Sequence, residues 1–415
     1  MKLSLVPCTL LAAVSAVVAQ TQNTTFLTGF IETLQGMGLT DLTTFASQIN
    51  DSSFGEALLA TISDGKPYLF FAPSNDAFMN APENVTANPP DTLAYHYVSG
   101  NFSGDMSMYP NVTLGRTFLN DSMFVQLEGN KSQVLAWTKL ADGAIHILNQ
   151  MNDTMVTNTT MYGNITINVI NTVLSFPPSL SDVVMMDMNA SLSSLQTVLQ
   201  EINVEYFNAS TGETHNTSTF DVLNMGAHGF TLFAPNSSAL DAISSALQSL
   251  SNNQTLADTI LLNHVINGTS VYSSELVGMN YTSAAGEPLL FMMNTTGQYV
   301  TSGNVTAKII QPDVLLSNGV IHVIDRVFLN EKSDMSAASS AAASATSAAG
   351  HSTTESAPIG FSQTASLTAS GSNAAQPSNS KSAAVATYAQ SGSTKMWAVG
   401  LTVLGAIVGG YITLS

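Results

Sequence analysis

Three histidines lie in apolar segments where an imidazole could act as a general base or a metal ligand. His96 and His264 each stand in an apolar helical stretch, and His322 stands in a β-branched run three positions before Asp325. A metal site needs further His, Asp or Glu ligands at suitable spacing, and none accompanies these histidines. We therefore expect each imidazole to make a local hydrogen bond, with His322 partly exposed on a half-buried strand.

Other catalytic signatures are absent from the sequence. It contains no Gly-x-Ser-x-Gly, His-Glu-x-x-His or Gly-x-Gly-x-x-Gly motif. Glu201 and Glu205 are spaced by one helical turn, which favours a solvated helix face. Ser74 and Asn236 each follow Ala-Pro, which predicts helix caps rather than nucleophiles. We expect a protein that is not an enzyme and has no catalytic residue, cofactor or metal site.

Composition excludes polyanionic partners. The chain has 415 residues, of which 45% are hydrophobic and 9% charged, and its formal net charge is −18. So acidic a surface offers no attraction to nucleic acid or to anionic lipid. The apolar fraction can nevertheless fill the cores of two or three domains.

The N-terminal residues 1–19 read as a secretory signal peptide, with Lys2, an apolar run and small residues before the expected cleavage site. The only cysteine, Cys8, lies in this segment. The mature chain is therefore expected to contain no disulfide, no Cys-metal site and no Cys nucleophile.

N-glycosylation acceptors are dense in the sequence and stop abruptly. The Asn-x-Ser/Thr pattern occurs 19 times. Each occupied Asn must face solvent, so every site also constrains the fold. The acceptors are Asn23, Asn50, Asn84, Asn101, Asn111, Asn120, Asn130, Asn152, Asn158, Asn164, Asn189, Asn208, Asn216, Asn236, Asn253, Asn267, Asn280, Asn294 and Asn304.

The C-terminal part changes to a Ser/Thr/Ala-rich composition. Residues 332–381 are expected to form a disordered, O-glycosylated stalk. Residues 382–415 resemble a GPI-attachment signal, with small residues from Ser382, a spacer and an uncharged apolar tail. The alternative is a single membrane-spanning helix, which the missing basic flank disfavours.

Three pairs of segments show that the region between these ends is a tandem repeat. "YLFFAPSNDAF" is similar to "FTLFAPNSSAL", "TLAYHYVSGNFS" to "ILLNHVINGTS", and "GNITINVINTVL" to "NGVIHVIDRVFL", in one order. We expect two domains, at 20–178 and 179–331, with the boundary at Pro177-Pro178.

Each unit is predicted to have an α+β fold, with helices first and strands collected in its second half. Helical spacing marks "TGFIETLQGMG", "LTTFASQI" and "LSSLQTVLQEI". Alternation predicts strands at "MFVQLE", "SQVLAW", "AIHIL", "PLLFMM", "GQYVTSG" and "AKIIQ".

These repeated motifs resemble those of the fasciclin domain. "TLFAPNSSAL", "LNHVI" and "NGVIHVID" are close to the family's three signatures, and "AYHYV" and "GNITINVIN" are looser counterparts in the first unit. The resemblance makes His96, His264, His322 and Asp325 family-motif residues. It implies an extracellular adhesion or matrix module, often present in tandem and GPI-anchored, and with this stalk it suggests a fungal cell-surface protein.

A short segment before the last signature resembles an Asp-containing integrin-binding segment of some animal fasciclin domains. Pro312, Asp313 and Val314 are the candidate recognition residues. We expect Asp313 to lie on an exposed turn, so that Asp313→Ala weakens binding at little cost in stability. The first unit lacks this Asp and has the Asn164 acceptor, which favours recognition by the second unit.

The sequence thus predicts a non-enzymatic adhesion or wall-associated glycoprotein on the outer leaflet of the plasma membrane. Its expected partners are protein or polysaccharide components of the cell surface or wall, including another copy of the chain, and the lipid of a GPI anchor. Two alternatives stay open: a passive glycan-bearing spacer, and an enzyme with an unrecognised site.

Overall fold

The computed structural model describes residues 25–49, 52–102, 107–186, 192–208, 213–250, 253–351 and 355–360. Two seven-stranded sheets, one in each unit, have the same topology. The first has the strand order β2-β1-β7-β6-β5-β4-β3, and the second has the order β11-β10-β16-β15-β14-β13-β12. The fold is therefore a mixture of helices and strands, and the repeat seen in the sequence is a repeat of structure.

The first unit begins with a helix at 25–36, α1. Its other helices are α2 (Thr40–Ser47), α3 (Ser53–Ile62), α4 (Asn75–Met79), α5 (Glu83–Thr86) and α6 (Pro89–His96). Its strands are β1 (Tyr68–Pro73), β2 (Tyr97–Ser99), β3 (Thr113–Arg116), β4 (Val134–Lys139), β5 (Ile145–Ile147), β6 (Thr154–Tyr162) and β7 (Ile165–Ile170).

The second unit has helices α7 (Leu180–Met186), α8 (Ser193–Glu201), α9 (Thr219–Asp221), α10 (Ser237–Asp241), α11 (Ser244–Leu250), α12 (Gln254–Leu262) and α13 (Ser273–Leu276). A separate hairpin consists of β8 (Asn203–Asn208) and β9 (Glu213–Ser218). The main sheet contains β10 (Phe230–Pro235), β11 (Val265–Asn267), β12 (Asn280–Thr282), β13 (Pro288–Asn294), β14 (Gly297–Ser302), β15 (Val305–Leu315) and β16 (Val320–Ile324).

The Ala-Pro motif sits where a central strand turns into a helix. All residues of β1 and β10 are buried, and each strand pairs in parallel with the last strand of its unit. The following residue caps the next helix: the Ser74 side chain accepts the Ala77 N–H, and the Asn236 side chain accepts the Ala239 N–H. The prediction that both residues are caps is confirmed.

Most predicted strands exist, but two local predictions are wrong. "MFVQLE" is not a strand, because it leads into a 3₁₀ turn at Glu128–Asn130 in which Gly129 and Asn130 both have positive φ. Glu201 and Glu205 do not share a helix face, because α8 ends at Glu201 and Glu205 lies in β8.

The two units share a small apolar core at their junction. Leu114 and Val134 of the first sheet cluster with Tyr272 and Val320 of the second, and Ile359 completes the cluster. This burial removes apolar surface from water on both units, so it favours one fixed arrangement of the pair.

A C-terminal strap, defined as residues 334–351 and 355–360, packs on both units. Asp334 caps its helix α14 (Met335–Ala349), since the Asp334 side chain accepts the N–H groups of Ser336 and Ala337. Ala338 and Ala342 are buried. A Cβ on Gly129 of the first unit would meet the Ala349 carbonyl oxygen at 2.4 Å, so only glycine permits this approach.

The expectation of a disordered stalk from residue 332 is therefore wrong for the strap. Alanine has the highest helix propensity, and its small side chain lets a helix lie close to another backbone. This segment has few large apolar side chains, and its small Ala338 and Ala342 are buried instead. Residues 361–381, which complete the predicted stalk, lie outside the described residues.

An ion pair ties the end of the strap to the first unit. Arg116 donates from Nε to Glu355 Oε2 at 2.7 Å and from a terminal nitrogen to Oε1 at 2.6 Å, and a further N–H bonds the Ser132 carbonyl at 2.8 Å. The Ile359 N–H donates to the Leu114 carbonyl at 3.0 Å. The two-pronged geometry is that of a strong Arg–carboxylate pair.

Breaking this pair should loosen the strap. We expect Glu355→Gln to lower the free energy of unfolding by about 1–3 kcal/mol, because Arg116 stays largely buried without its counter-charge. Thermal unfolding measures the loss, and limited proteolysis should cut 350–360 faster. The exposed Glu331→Gln is the matched control. Equal stability and equal proteolysis of the two variants would contradict a fastening role for Glu355.

Candidate functional site

Two buried imidazoles make the same connection in the two units. His96 closes α6, where its Nδ1–H donates to the Thr92 carbonyl at 2.6 Å and its Nε2 accepts the Leu174 N–H at 3.1 Å. His264, just after α12, donates to the Ile260 carbonyl at 2.8 Å and accepts the Phe328 N–H at 2.9 Å. Each ring therefore ties a helix end to the chain that follows the last strand of its unit.

Both rings are held neutral. Burial lowers the pKa of His96 and of His264 to about 4, because the charged imidazolium would lose its hydration. Both nitrogens of each ring already have a partner, so neither ring is free to ligate a metal or accept a proton from a substrate. The prediction of local hydrogen bonds is confirmed for both residues.

His322 is fully buried, so the expectation of partial exposure is wrong. Its strand β16 lies inside the sheet between β10 and β15, and its ring stacks on Phe233 at 5.5 Å. The Nε2–H donates to the Val271 carbonyl at 2.9 Å, and Nδ1 faces the Asp313 N–H at 3.3 Å. Burial lowers the pKa of His322.

The first unit has asparagine at the positions of the motif residues His322 and Asp325. The asparagine that corresponds to Asp325 keeps its hydrogen bond. Asp325 accepts the Lys308 N–H at 2.7 Å, and Asn171 accepts the Met155 N–H at 2.8 Å in the same place. Asn168, in the position of His322, accepts the Thr159 hydroxyl, but its buried NH₂ group has no partner. The substitution for His therefore leaves an unsatisfied donor, which destabilises the first unit.

The candidate recognition residues Pro312, Asp313 and Val314 lie inside strand β15 and not on an exposed turn. The pairing register shifts between Gln311 and Val314, and Asp313 has φ 55° with none of its surface exposed. A bulge of this kind turns the carboxylate inward. The expectation that Asp313 is exposed is wrong.

The Asp313 carboxylate serves the interior of the second unit. It accepts the Ser273 N–H at 2.7 Å on one oxygen and the Ser273 hydroxyl on the other. Its backbone carbonyl accepts the Asn149 side-chain N–H of the first unit at 2.8 Å. Asp313 is thus covered by the junction and cannot contact a partner in this arrangement. Burial raises its pKa.

Ser273, Asp313 and His322 have the residue types of a nucleophile triad but not its geometry. The Ser273 hydroxyl donates to Asp313, while the His322 nitrogens are engaged by Val271 and the Asp313 N–H. No imidazole nitrogen is available to take the serine proton. Across the described residues, no group of three or more His, Cys, Asp or Glu could hold a metal ion.

A polar network at the junction was missed by the sequence analysis. Glu128 is buried, and its Oε2 accepts the N–H of Ser270 at 3.2 Å and its hydroxyl at 3.0 Å. Gln133 donates to the Leu316 carbonyl at 3.0 Å. The only sequence signal was Glu128-Gly129 beside an apolar run, which indicates a turn and gives no partner.

The predicted glycan acceptors lie mostly at the surface. Exposed ones are Asn84, Asn101, Asn111, Asn120, Asn130, Asn152, Asn158, Asn164, Asn216, Asn253, Asn280, Asn294 and Asn304. Asn236 and Asn267 are half-buried, and the Asn208 side chain is not described. Asn23, Asn50, Asn189, the predicted signal peptide and Ser382 with the anchor signal lie outside the described residues. None of the described helices is both long and apolar enough to span a bilayer.

Comparison with known proteins gives one family match, in the second unit, and similarity to a solved domain pair. The fasciclin domain family model matches residues 207–330, which contain the complete second sheet. No curated protein sequence matches the chain. The chain is similar to a FAS1 domain pair from the insect cell adhesion molecule fasciclin I at 18% identity. That similarity covers 70% of this chain and 97% of the other, with a TM-score of 0.33.

The His264 connection should make stability depend on pH. Its folded pKa, about 4, lies below the ordinary 6.5, so between these values the unfolded chain binds more protons. The contribution of the neutral His264 ring to the free energy of unfolding is complete above pH 6.5. It is lost as the pH falls toward 4, by about 2 kcal/mol from pH 7 to pH 5.

Urea unfolding at both pH values measures this loss. His264→Gln removes the titration and keeps an acceptor, so it should show a smaller pH dependence than the natural chain. The exposed His351→Gln is the control, and comparison of variants removes the opposite contribution of His146, whose pKa Asp142 and Asp153 raise. The same pH dependence in all three chains would contradict the prediction.

Asp313 should matter for stability. We expect Asp313→Ala to cost about 2–4 kcal/mol, because it leaves the buried Ser273 donors unpaired and places alanine at a positive φ. Asp313→Asn keeps an acceptor and tolerates this backbone, so it should cost less. Chemical denaturation of both variants checks the order, and a neutral Asp313→Ala would contradict the assignment.

Proposed function

We propose that this chain is a non-enzymatic cell-surface adhesion glycoprotein whose two fasciclin-like units act as one head. The observation that carries the proposal is the repeated seven-stranded topology, together with the family match at residues 207–330. The engaged imidazoles and the buried Asp313 also favour a binding protein over an enzyme, because each polar group supports the fold.

The charge distribution favours a partner that is not polyanionic. Residues 140–307 contain no Lys or Arg, so most of the second unit presents carboxylates without basic neighbours in the sequence, and its only Lys and Arg residues are Lys308 and Arg326. Sulfated polysaccharides and nucleic acid would be repelled. Neutral wall polysaccharides and protein surfaces remain the favoured partners.

An apolar strand face on the second unit favours protein contact. Leu290 and Met292 alternate on β13, and each exposes 52% of its surface. Both side chains are large and apolar, and methionine adapts its shape to a partner. We propose that this face contacts a second copy of the chain on a neighbouring cell, with Asn280, the cross-strand partner of Leu290, and Asn294 of the same strand carrying no glycan.

The predicted glycans and anchor complete the proposal. Exposed acceptors would keep much of the remaining surface hydrated, and a GPI lipid attached near Ser382 would hold the head outside the membrane. The predicted boundary near residue 178 remains part of this proposal. The first sheet ends before it, with β7, and the second sheet begins after it, with β10.

Adhesion of cells that display the full chain tests the function. Expressing cells should aggregate with each other at least several-fold more than matched non-expressing cells, and Leu290→Ser/Met292→Ser should abolish the gain. Met161→Ser, at an exposed position of the first unit, is the control. Aggregation equal to that of non-expressing cells would reject adhesion in favour of a passive spacer.

The same cells test partner and anchor. Coated β-glucan, chitin and a sulfated glycan separate a polysaccharide partner from a homophilic one, and we expect the sulfated glycan to bind least. Phosphatidylinositol-specific lipase should release the protein. Retention on the membrane despite active lipase would support a membrane-spanning helix instead.

A further inference from the structure

A large cavity lies in the second unit, away from the junction and from Ser273, Asp313 and His322. It opens between α8, α11 and α12 above strand β10 and has a volume of about 750 Å³. Leu195, Val198, Leu247, Ile260 and Leu261 are among its lining residues. Small-molecule sites have volumes of roughly 300–1,000 Å³ and mostly apolar walls, so this cavity is of the size and character of a ligand site.

Among the described residues of the first unit, the cavity that adjoins the counterpart strands β1 and β2 is much smaller. It measures about 150 Å³, and the Phe70 and Tyr97 rings stack there at 4.1 Å. The second unit has Leu232 and Val265 at the same two paired positions of its sheet. Leucine and valine occupy less volume than the two rings of the first unit. This difference in side-chain volume explains why the cavity of the second unit is larger.

The entrance of the cavity has a negative character. Glu201 and Asp241 are lining residues with exposed side chains. None of the lining residues is a Lys or Arg, and burial keeps His264 in the wall neutral. The charged side chains of the lining are therefore both carboxylates, which repel an anionic head group and accept a hydrogen bond from a hydroxyl or amine.

We propose that this cavity binds an apolar small molecule whose polar end is a neutral or cationic hydrogen-bond donor. The hydrocarbon body lies on the leucine and isoleucine walls, and the hydroxyl or amine faces Glu201 and Asp241. Fatty acids and other anionic amphiphiles are excluded by the same carboxylates. Ligand binding belongs to the second unit only, because the aromatic pair fills the space in the first.

Nile red, an uncharged fluorophore, is the probe for the cavity. The purified protein should bind it with a blue-shifted emission, and Leu232→Phe/Val265→Tyr should weaken binding at least tenfold by copying the aromatic pair of the first unit. Met161→Phe adds a ring at an exposed site of the first unit and should leave binding unchanged. Unaltered binding by a folded double variant would overturn the proposal.

A second variant tests the cavity if the double variant fails to fold. Val198→Phe narrows the cavity from a partly exposed wall position, and it should also weaken Nile red binding while the circular dichroism spectrum is retained. If this folded variant and the natural chain bind the probe equally, the cavity is not the site.

Competition tests the charge preference. Below the solubility limit of decanol and the micelle concentrations of the ionic compounds, decanol and decylamine should displace Nile red, while decanoate should be at least tenfold weaker. Glu201→Gln/Asp241→Asn should reduce this difference. Displacement by decanoate as strong as that by decanol would overturn the assigned ligand class. None of these readouts involves cell adhesion, so failure here is distinct from failure of the adhesion proposal.

Discussion

The hydrogen bond from a backbone N–H to a buried imidazole is the interaction on which each unit depends. His264 receives it from Phe328, and His96 receives it from Leu174. Each ring also holds the carbonyl one helical turn before it, so the helical layer and the last strand are fixed to each other at one point. A chain with a single cysteine cannot form an internal disulfide, and this neutral ring supplies the corresponding constraint.

The two units use this constraint to different degrees. The second unit adds a further buried ring, His322, which links β16 to the segment before α13 through the Val271 carbonyl. The first unit has Asn168 there, with a buried amide that lacks a partner. Its larger aromatic content offsets this, since Phe70, Tyr97 and Phe118 stack in sequence across its core. Similar topology is thus supported by polar ties in one unit and by ring packing in the other.

Sequence reasoning succeeded where the signal was local. The Ala-Pro turns, their caps and the satisfied helix-end histidines follow from residue type and short spacing, and the structure contains all of them. It failed where the partner is distant in the chain. Asp313 is buried by a bulge and by Asn149, Glu128 is matched to Ser270, and Arg116 is paired with Glu355 more than two hundred residues away. The periodicity of one segment does not encode partners that are distant in the chain. Composition alone does not show that an alanine-rich helix packs closely against another backbone.

The C-terminal strap decides where a mechanical load enters the molecule. A pull on the chain beyond Gly360 acts first on Ile359 and on the Arg116–Glu355 pair, which belong to the junction, and not on the end of the last strand. The tension is then shared between both units, because Arg116 belongs to the first unit and Ile359 clusters with Tyr272 and Val320 of the second. Strand β16 is loaded only after the strap has peeled away, so the strap would act as a sacrificial element that extends under force while both sheets stay folded.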